Sequence, residues 1–483
     1  AAFGAESRLE GALAEPRANA DDAASGGFIQ QDRTTLGVMF YRGVELLRSE
    51  GAALARARGL LERVASGYRA TKNLDVLPAT LGFWAEAERR LGNAEHAIEL
   101  ASEATNLLEN GAPMAFETAQ ASGRAIGTPA LVPMLKLAHQ AHGRLPWARL
   151  FDPAIRLAEQ GFVVGPRLSR SLMTYRAALA QDPQARQIYL DAQGQPWPQG
   201  HVLVNPAYAR TLRAIAAQGP RALVEGPIAD EIVAAAQRAP RAGTLTLADL
   251  QAFVPRRLEP LCAPFRAYRV CSVPAPSSAN AMLSILGLYQ RARPQPVGPQ
   301  EIADWAAFVW ASRLSYVDRD HYMADDRFVP APTRELVAPG YLDQRASLID
   351  LSRGTAAIAV GAPAGDELRQ RWGSAAMIEH GTSHLSIVDA QGNAVALTVT
   401  IESEYGAQRM AGGFWLNNQL TDFSLVPTKD GVPVANAVAP GKRPRSSMAP
   451  TMVLNDKGEL HSVIGSALGS VIINFVAQNL VAT

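Results

Sequence analysis
The sequence predicts an α+β fold, with a layered helix-and-strand domain following a purely α-helical segment. Three observations predict it. Apolar residues recur at helical spacing from about residue 35 to 110. Beyond Pro113, helical stretches such as "LVPMLKLAHQAHG" and "LFDPAIRLAEQG" give way to alternating strands such as "YRVCSV" and "HLSIVDA". Gly and Pro punctuate that second region frequently.

Residues 1–34 are rich in Ala and Asp with little periodicity, which reads as a linker or frayed tail. Residues 35–110 hold four amphipathic stretches, among them "ALARARGLLERVASGYRA", whose Leu60, Leu61, Val64 and Tyr68 form one apolar stripe. Short connections containing Gly51, Asn73, Gly92 and Asn93 separate them. "ERRLGNAEHAIELASEA" resembles a tetratricopeptide-type repeat in its Leu-Gly and small-residue spacing. A segment of that kind offers a surface to a protein partner.

Composition narrows the function classes. The 483 residues are 48% hydrophobic and 19% charged, with formal charge +1. That balance argues for no nucleic-acid partner and no anionic membrane surface. No apolar run approaches the roughly 18 residues that a membrane helix needs. The N-terminus as given lacks a basic-then-apolar signal pattern, which leaves the compartment unassigned. Two cysteines, Cys262 and Cys271, are too few for a disulfide scaffold or structural zinc site; they read as buried thiols or as a hairpin disulfide. No His-Glu-x-x-His, Walker, Gly-x-Gly-x-x-Gly or Gly-x-Ser-x-Gly pattern occurs. The expectation is therefore an absence of metal and cofactor.

The stretch "HGTSHLSIVDAQGNAVALTVTIESEYG" holds two strands and a turn over Asp389 to Asn393. If the loop has three or five residues, Val388 faces Ala394, and Thr382 faces Thr400 by the same sum. A loop of two or four would turn Thr400 to the other face. A hydroxyl at the start of the first strand, after Gly381, has no side-chain base beside it in the sequence. On the residues alone, opposed threonines read first as ordinary β-formers, and second as a hydroxyl pair.

Seven blocks in order connect this chain to a family: "SGRAIGTPALV", "HGRLPWARLFDPAIRLAEQGF", "YRVCSVPAPSSA", "GTSHLSIVDAQGNAVALTVT", "FWLNNQLTDFS", "GKRPRSSMAPTMV" and "GSALGS". Over about 111–483 the chain resembles the γ-glutamyltransferase (glutathione hydrolase) family. The resemblance implies an αββα sandwich of the N-terminal nucleophile hydrolases. It divides the chain into a large-subunit part, 111–381, and a small-subunit part, 382–483. It also implies self-cleavage between Gly381 and Thr382, with the new α-amine of Thr382 as base. A model α-amine titrates at about 7.7–8.0, which suits that role.

The resemblance further implies that Thr400 bonds the nucleophile. Asp422, with Gln419 beside it, would take the substrate α-ammonium, and Ser446 and Ser447 its α-carboxylate. The backbone N–H groups of Leu468 and Gly469 would form the oxyanion hole. The implied substrate is a γ-glutamyl amide such as glutathione, with an amino acid or peptide as acceptor, and the two fragments of the chain remain together. The family is usually periplasmic or secreted.

Departures from the pattern shape the expectation. The family's N-terminal sheet region and C-terminal strands are not evident, so the sandwich reads as incomplete at both ends. "AFETAQ" lacks the arginine of the family's Phe-Arg-Glu motif, and the likeness reads as coincidence. Leu468 stands where the family has glycine; if φ is positive there, its Cβ costs roughly 1–2 kcal/mol. Glu402 stands where many members have asparagine near the α-ammonium. "LVPTKDGVPVANAVAP" is shorter than in members with a lid over the pocket, which favours hydrolysis over transpeptidation. Two alternatives remain: a cephalosporin (glutaryl) acylase-like amidase, or an inactive helical-repeat binding protein with a degenerate hydrolase half.

Overall fold
A four-stranded antiparallel sheet carries the larger core. The computed structural model describes residues 112–296, 301–352, 357–364, 381–426, 428–429 and 432–482, with Leu108–Glu109 and eight helical residues between 55 and 65. The sheet's strands are β1 (Leu261–Phe265), β2 (Tyr268–Ser272), β5 (Thr451–Leu454) and β6 (Leu460–Ile464), in the order β6-β5-β2-β1. The hairpin of β3 (Ser383–Val388) and β4 (Ala394–Val399) is a separate sheet that lies against β6.

Local sequence explains the sheet. A two-residue turn joins β1 to β2, and such turns need positive φ, which Arg266 adopts at 54°. Cys262 and Cys271 stand directly opposite each other in that hairpin and form a disulfide, which decides between the two readings of the cysteines. Among the described residues β1 is an edge strand, and it carries Pro264, which has no N–H to offer.

Helices cover one face of the sheet. Ala279–Ala292 is apolar on nearly every side and is buried from Ala279 to Tyr289, as befits a helix at the centre of a layer. It packs against Ile302–Tyr322, Pro339–Ala346 and Ile472–Ala482. Met282, Ile285, Leu286, Leu314, Ile473 and Val476 meet Val270 and Val453 of the sheet in one continuous core. The final helix comes from "VIINFVAQNLVAT", an almost uniformly apolar run whose pattern fits helix and strand alike.

A second core forms around two further helices. Ile215 and Ile232, from helices Pro206–Gln218 and Pro227–Gln237, pack on Ala407, Ala411 and Leu416. Asn205 caps the first of these helices by accepting from Tyr208 N at 2.9 Å, and donates to Gly413 O at 2.8 Å. Thr211 donates to Gly412 O at 2.7 Å. One helix thus holds the segment that leads from the hairpin into "FWLNNQLTDFS".

Most of the 35–110 helical segment, and all of 1–34, lie outside the described residues. Within 55–65 the described residues are helical, and Ala57, Leu61 and Ala65 are buried at i, i+4 and i+8. Among the described residues no helix is long and apolar enough to cross a membrane.

Two backbones cross in contact beside the cleft. A Cβ built on Gly123 would lie 1.7 Å from Ala236 O, and one on Gly243 would lie 2.1 Å from Gly123 O. Gly123 N donates to Arg241 O at 3.0 Å, and Gly243 N to Ala236 O at 2.8 Å. Gly123→Ala must push these strands of chain apart and should cost about 1–3 kcal/mol, read as a lower urea midpoint at unchanged m.

Candidate active site
The turn of the hairpin sets the register. Asp389 accepts from Gln391 N and Asn393 N, each at 2.9 Å, and from Asn393 Nδ2 at 2.8 Å. These bonds hold the carboxyl below the usual Asp range, with the Asn393 side chain the largest contributor. The loop therefore spans Asp389 to Asn393, and Val388 pairs with Ala394. The ladder runs to Ser383 and Val399, and the next pair in register is Thr382 and Thr400. The odd-loop reading of the sequence holds.

The Thr382 end of one hairpin face is polar, while Val388, Ala394 and Ala396 occupy the same face toward the turn. His384 Nδ1 lies 2.8 Å from Thr398 Oγ1, and its Nε2 lies 2.9 Å from Ser386 Oγ. Partial burial lowers the imidazole pKa. Its ring lies on Gly465, where a Cβ would come within 2.2 Å of it. That contact joins the strand of Thr382 to the "GSALGS" loop.

Thr400 has two partners. Its Oγ1 accepts from Glu402 N at 2.7 Å and donates to the carbonyl of Gly381. In this uncut chain the hydroxyl thus engages the peptide carbonyl immediately before Thr382. Thr382 itself is half-buried.

The neighbouring turn is built on two asparagines. Asn417 Oδ1 accepts from Gly127 N at 3.0 Å, and its Nδ2 donates to Gly127 O at 2.8 Å. Asn418 Nδ2 donates to the Glu402 carboxylate and, at 2.9 Å, to Thr421 Oγ1. Glu402 is buried, has φ of 78°, and also accepts from Ser403 Oγ at 2.5 Å. Its carboxylate is thereby engaged within the protein. Gln419 and Asp422 lie together, with Gln419 Nε2 donating to Asp422 Oδ2, and Asp422 is buried. The short helix Phe116–Gln120, from "AFETAQ", packs against this Gln419–Asp422 turn.

The two serines part ways. Ser446 is half-buried, and its Oγ accepts from Met448 N at 3.2 Å. Ser278 Oγ donates to Ser446 O at 2.6 Å. Ser447 is fully buried and accepts from Arg319 Nη2 at 2.5 Å, while Arg319 Nε donates to Ser278 Oγ at 2.8 Å. Thr400, Gln419 and Ser446 line a cleft of about 2880 Å³, together with Ser277 and Asn417. Thr382, Glu402, Asp422, Ser447, Leu468 and Gly469 are not part of that lining.

In the "GSALGS" loop, Leu468 has φ of 81° and is half exposed, while Gly469 is buried and its carbonyl accepts from Ile472 N at 3.0 Å. The condition attached to Leu468 is met: its Cβ sits in the left-handed region.

Sequence reasoning passed over Asn417, Asn418, His384 and Arg319. Asn417 and Asn418 lie inside a block read only for its Gln and Asp. Arg319 lies in the charged run Asp318-Arg319-Asp320-His321 at the end of the helix Ile302–Tyr322, so its type did not stand out; its near-complete burial does.

Lys442, inside "GKRPRSSMAP", is also buried. Its Nζ donates to Ala435 O and Ala437 O, each at 2.7 Å. Burial pushes its pKa down to about 7, against a smaller opposing pull from Asp325. A neutral amine still has two N–H groups for the two carbonyls, so the contacts survive deprotonation.

Comparison with known proteins gives a consistent picture. The family model described as γ-glutamyltranspeptidase matches residues 83–483, a match that takes in residues 83–110 of the helical segment. A glutathione hydrolase proenzyme of Escherichia coli K12 is 34% identical over 369 residues, covering 74% of this chain and 61% of its own. Glutathione hydrolase 2 of Arabidopsis thaliana is 34% identical over 371 residues, covering 73% and 60%. The chain thus spans about 60% of the length of these relatives. The crystal structure of a cephalosporin acylase from Bacillus halodurans superposes with a TM-score of 0.60 at 22% identity, over 71% of this chain and 60% of that one. At that identity the likeness speaks for the fold, which is the N-terminal nucleophile hydrolase fold expected.

Two outcomes test these local readings. Leu468→Gly should stabilise the chain by about 1 kcal/mol in denaturant titration, since it removes the left-handed Cβ penalty. Lys442 binds its proton less tightly folded than unfolded, so the unfolded chain holds more protons between about pH 7 and the free-lysine range. Its contribution to stability therefore rises with pH across that window. The difference in melting temperature between the parent and Lys442→Met should grow in favour of the parent from pH 7 to 9.5.

Proposed function
The chain belongs to the γ-glutamyltranspeptidase family, and from that premise we propose that it is a self-processing threonine hydrolase acting on γ-glutamyl amides such as glutathione. The observation that carries the reading is the Thr400 hydroxyl, which takes the Glu402 N–H and gives its proton to the Gly381 carbonyl. A donor on that oxygen polarises the carbon that Thr382 would attack and stabilises the charge that forms there.

The first reaction is an acyl shift. Thr382 Oγ adds to the Gly381 carbonyl, the Gly381–Thr382 C–N bond breaks, and the proton from Oγ goes to the departing amine. Water then hydrolyses the resulting ester, leaving a carboxylate on Gly381 and a free α-amine on Thr382. In the second reaction that amine takes the proton from Thr382 Oγ as it attacks the γ-carbonyl of the substrate. It returns the proton to the leaving amine, and water releases glutamate from the acyl-enzyme. Asp422 with Gln419 takes the substrate α-ammonium, and Ser446 offers a hydroxyl toward its α-carboxylate. Ser447, held by Arg319, supports Ser446 from behind. The N–H groups of Leu468 and Gly469 serve the oxyanion of this second reaction. Hydrolysis outruns transfer to an acceptor peptide.

A second reading has one observation in its favour. The helix against the Gln419–Asp422 turn has the sequence Phe-Glu-Thr-Ala-Gln and carries no arginine. A bidentate arginine–carboxylate contact is strong, and its loss favours acyl groups without α-substituents. Glutaryl amides are such a class. The ratio of kcat/KM for γ-glutamyl and glutaryl anilides decides between the two.

Intact mass after incubation at neutral pH tests the primary reading. A fragment beginning at Thr382 should appear in the parent and be absent in Thr382→Ala. Thr400→Val should slow the cut by about 10²–10³-fold, the usual effect of removing one oxyanion donor, and Thr400→Ser should largely keep it. An uncut parent chain overturns the reading.

A further inference from the structure
Asn436 touches both loops assigned to substrate recognition, although it belongs to neither. Its Nδ2 donates to Asp422 O at 2.7 Å, and its Oδ1 accepts from Arg445 N at 2.9 Å. Its own carbonyl accepts from Ser424 N at 3.0 Å. Asp422 and Ser424 bracket the end of one loop, and Arg445 directly precedes Ser446 in the other. Asn436 itself is buried. Lys442 fixes it from both sides, since the carbonyls that take the lysine Nζ are those of Ala435 and Ala437.

We propose that Asn436, clasped by Lys442, is a positioning residue that sets the separation between Asp422 and Ser446. The inference rests on the γ-glutamyl reading above and adds what fixes its geometry. Asp422 takes an ammonium and Ser446 a carboxylate, and in an α-amino acid these groups hang from one carbon. Their separation is therefore a fixed length that the protein must match. Asp422 ends the single 3-10 turn Gln419–Asp422 and Ser446 lies on a loop, and such short segments hold their side chains less tightly than a long helix or strand does. The carboxamide has its donor and its acceptor on two separate atoms, so it ties one loop by Nδ2 and the other by Oδ1 at once. The Lys442 clasp prevents Asn436 from drifting with either loop.

The design separates recognition from chemistry. Thr382, Thr400 and Gly381 are held by the hairpin register, which does not involve Asn436. Loss of the Asn436 contacts should weaken binding of the α-amino acid end and leave the bond-breaking groups in place.

The test uses the full chain. Asn436→Asp keeps the shape and the acceptor for Arg445 N–H but removes the donor to the Asp422 carbonyl. Lys442→Met removes the clasp while leaving Asn436. The measurements are the rate of the Gly381–Thr382 cut by intact mass, and KM and kcat for L-γ-glutamyl-p-nitroanilide. The expected result for both variants is a KM raised at least fivefold, with kcat and the cutting rate each within about twofold of the parent. A kcat that falls as KM stays unchanged, or a cutting rate that falls in step with activity, overturns the inference and makes Asn436 a general structural residue. A parent that cuts itself yet is silent on the anilide overturns the γ-glutamyl reading, and the inference falls with it. A parent that hydrolyses the anilide and variants with unchanged KM overturn the inference alone.

Discussion
The site depends on the parity of one turn. Asp389 gathers two backbone N–H groups and one amide from the residues after it, and that arrangement makes the loop five residues long. A loop one residue shorter would send Thr400 to the opposite face of the hairpin. The Thr400 hydroxyl could then reach neither the Gly381 carbonyl nor the polar face shared by His384 and Thr398. A carboxylate at the far end of two strands thus governs the geometry at their near end. No contact along the hairpin repairs a wrong parity, because every side chain would change face together.

Much of this was legible in the residues. Alternation in "SHLSIV" and "AVALTVT" marks the strands, and Asp389, Gly392 and Asn393 mark a turn. The loop length needed the structure, since it follows from where the Asp389 carboxylate finds donors. The stretches "LVPMLKLAHQAHG" and "LFDPAIRLAEQG" do form helices, Leu131–His142 and Asp152–Gln160, but the final helix was not legible: "VIINFVAQNLVAT" is apolar almost throughout, and a uniformly apolar run has no period to read. The blocks brought out Asp422, Gln419 and Ser446. They did not separate Ser446 from Ser447, which are identical in type and adjacent in sequence; only the position of Arg319, over a hundred residues earlier, divides them. The "AFETAQ" segment was set aside for want of an arginine. Its place beside the Gln419–Asp422 turn is a tertiary fact that no local pattern encodes.

The buried charges share a physical logic. Asp318 accepts from Tyr341 Oη at 2.7 Å, Arg345 Nη2 at 3.0 Å and Gly361 N at 2.8 Å. Burial still raises its pKa, with Arg345 pulling the other way. Arg409 donates to carbonyls of Ala235, Arg238 and Pro240, and burial lowers its pKa to about 10. Buried ions of this kind add little net stability, and their removal leaves several polar groups without partners. They specify which loop meets which. The connections around the cleft are long and rich in Gly and Pro, so these polar anchors do the work that regular ladders do elsewhere in the fold.

Pro264 has a consequence of another kind. It sits in β1, the outermost strand of the four, where an ordinary residue would hold out an amide to passing chains. An open sheet border is a template on which a second molecule can continue the sheet, and repeated continuation makes fibres. The proline withdraws one donor from that border, and the disulfide two residues earlier anchors the strand to its inner neighbour. The margin of the sheet is in this way guarded against self-association by a ring that cannot donate and a bond that does not let the strand peel away.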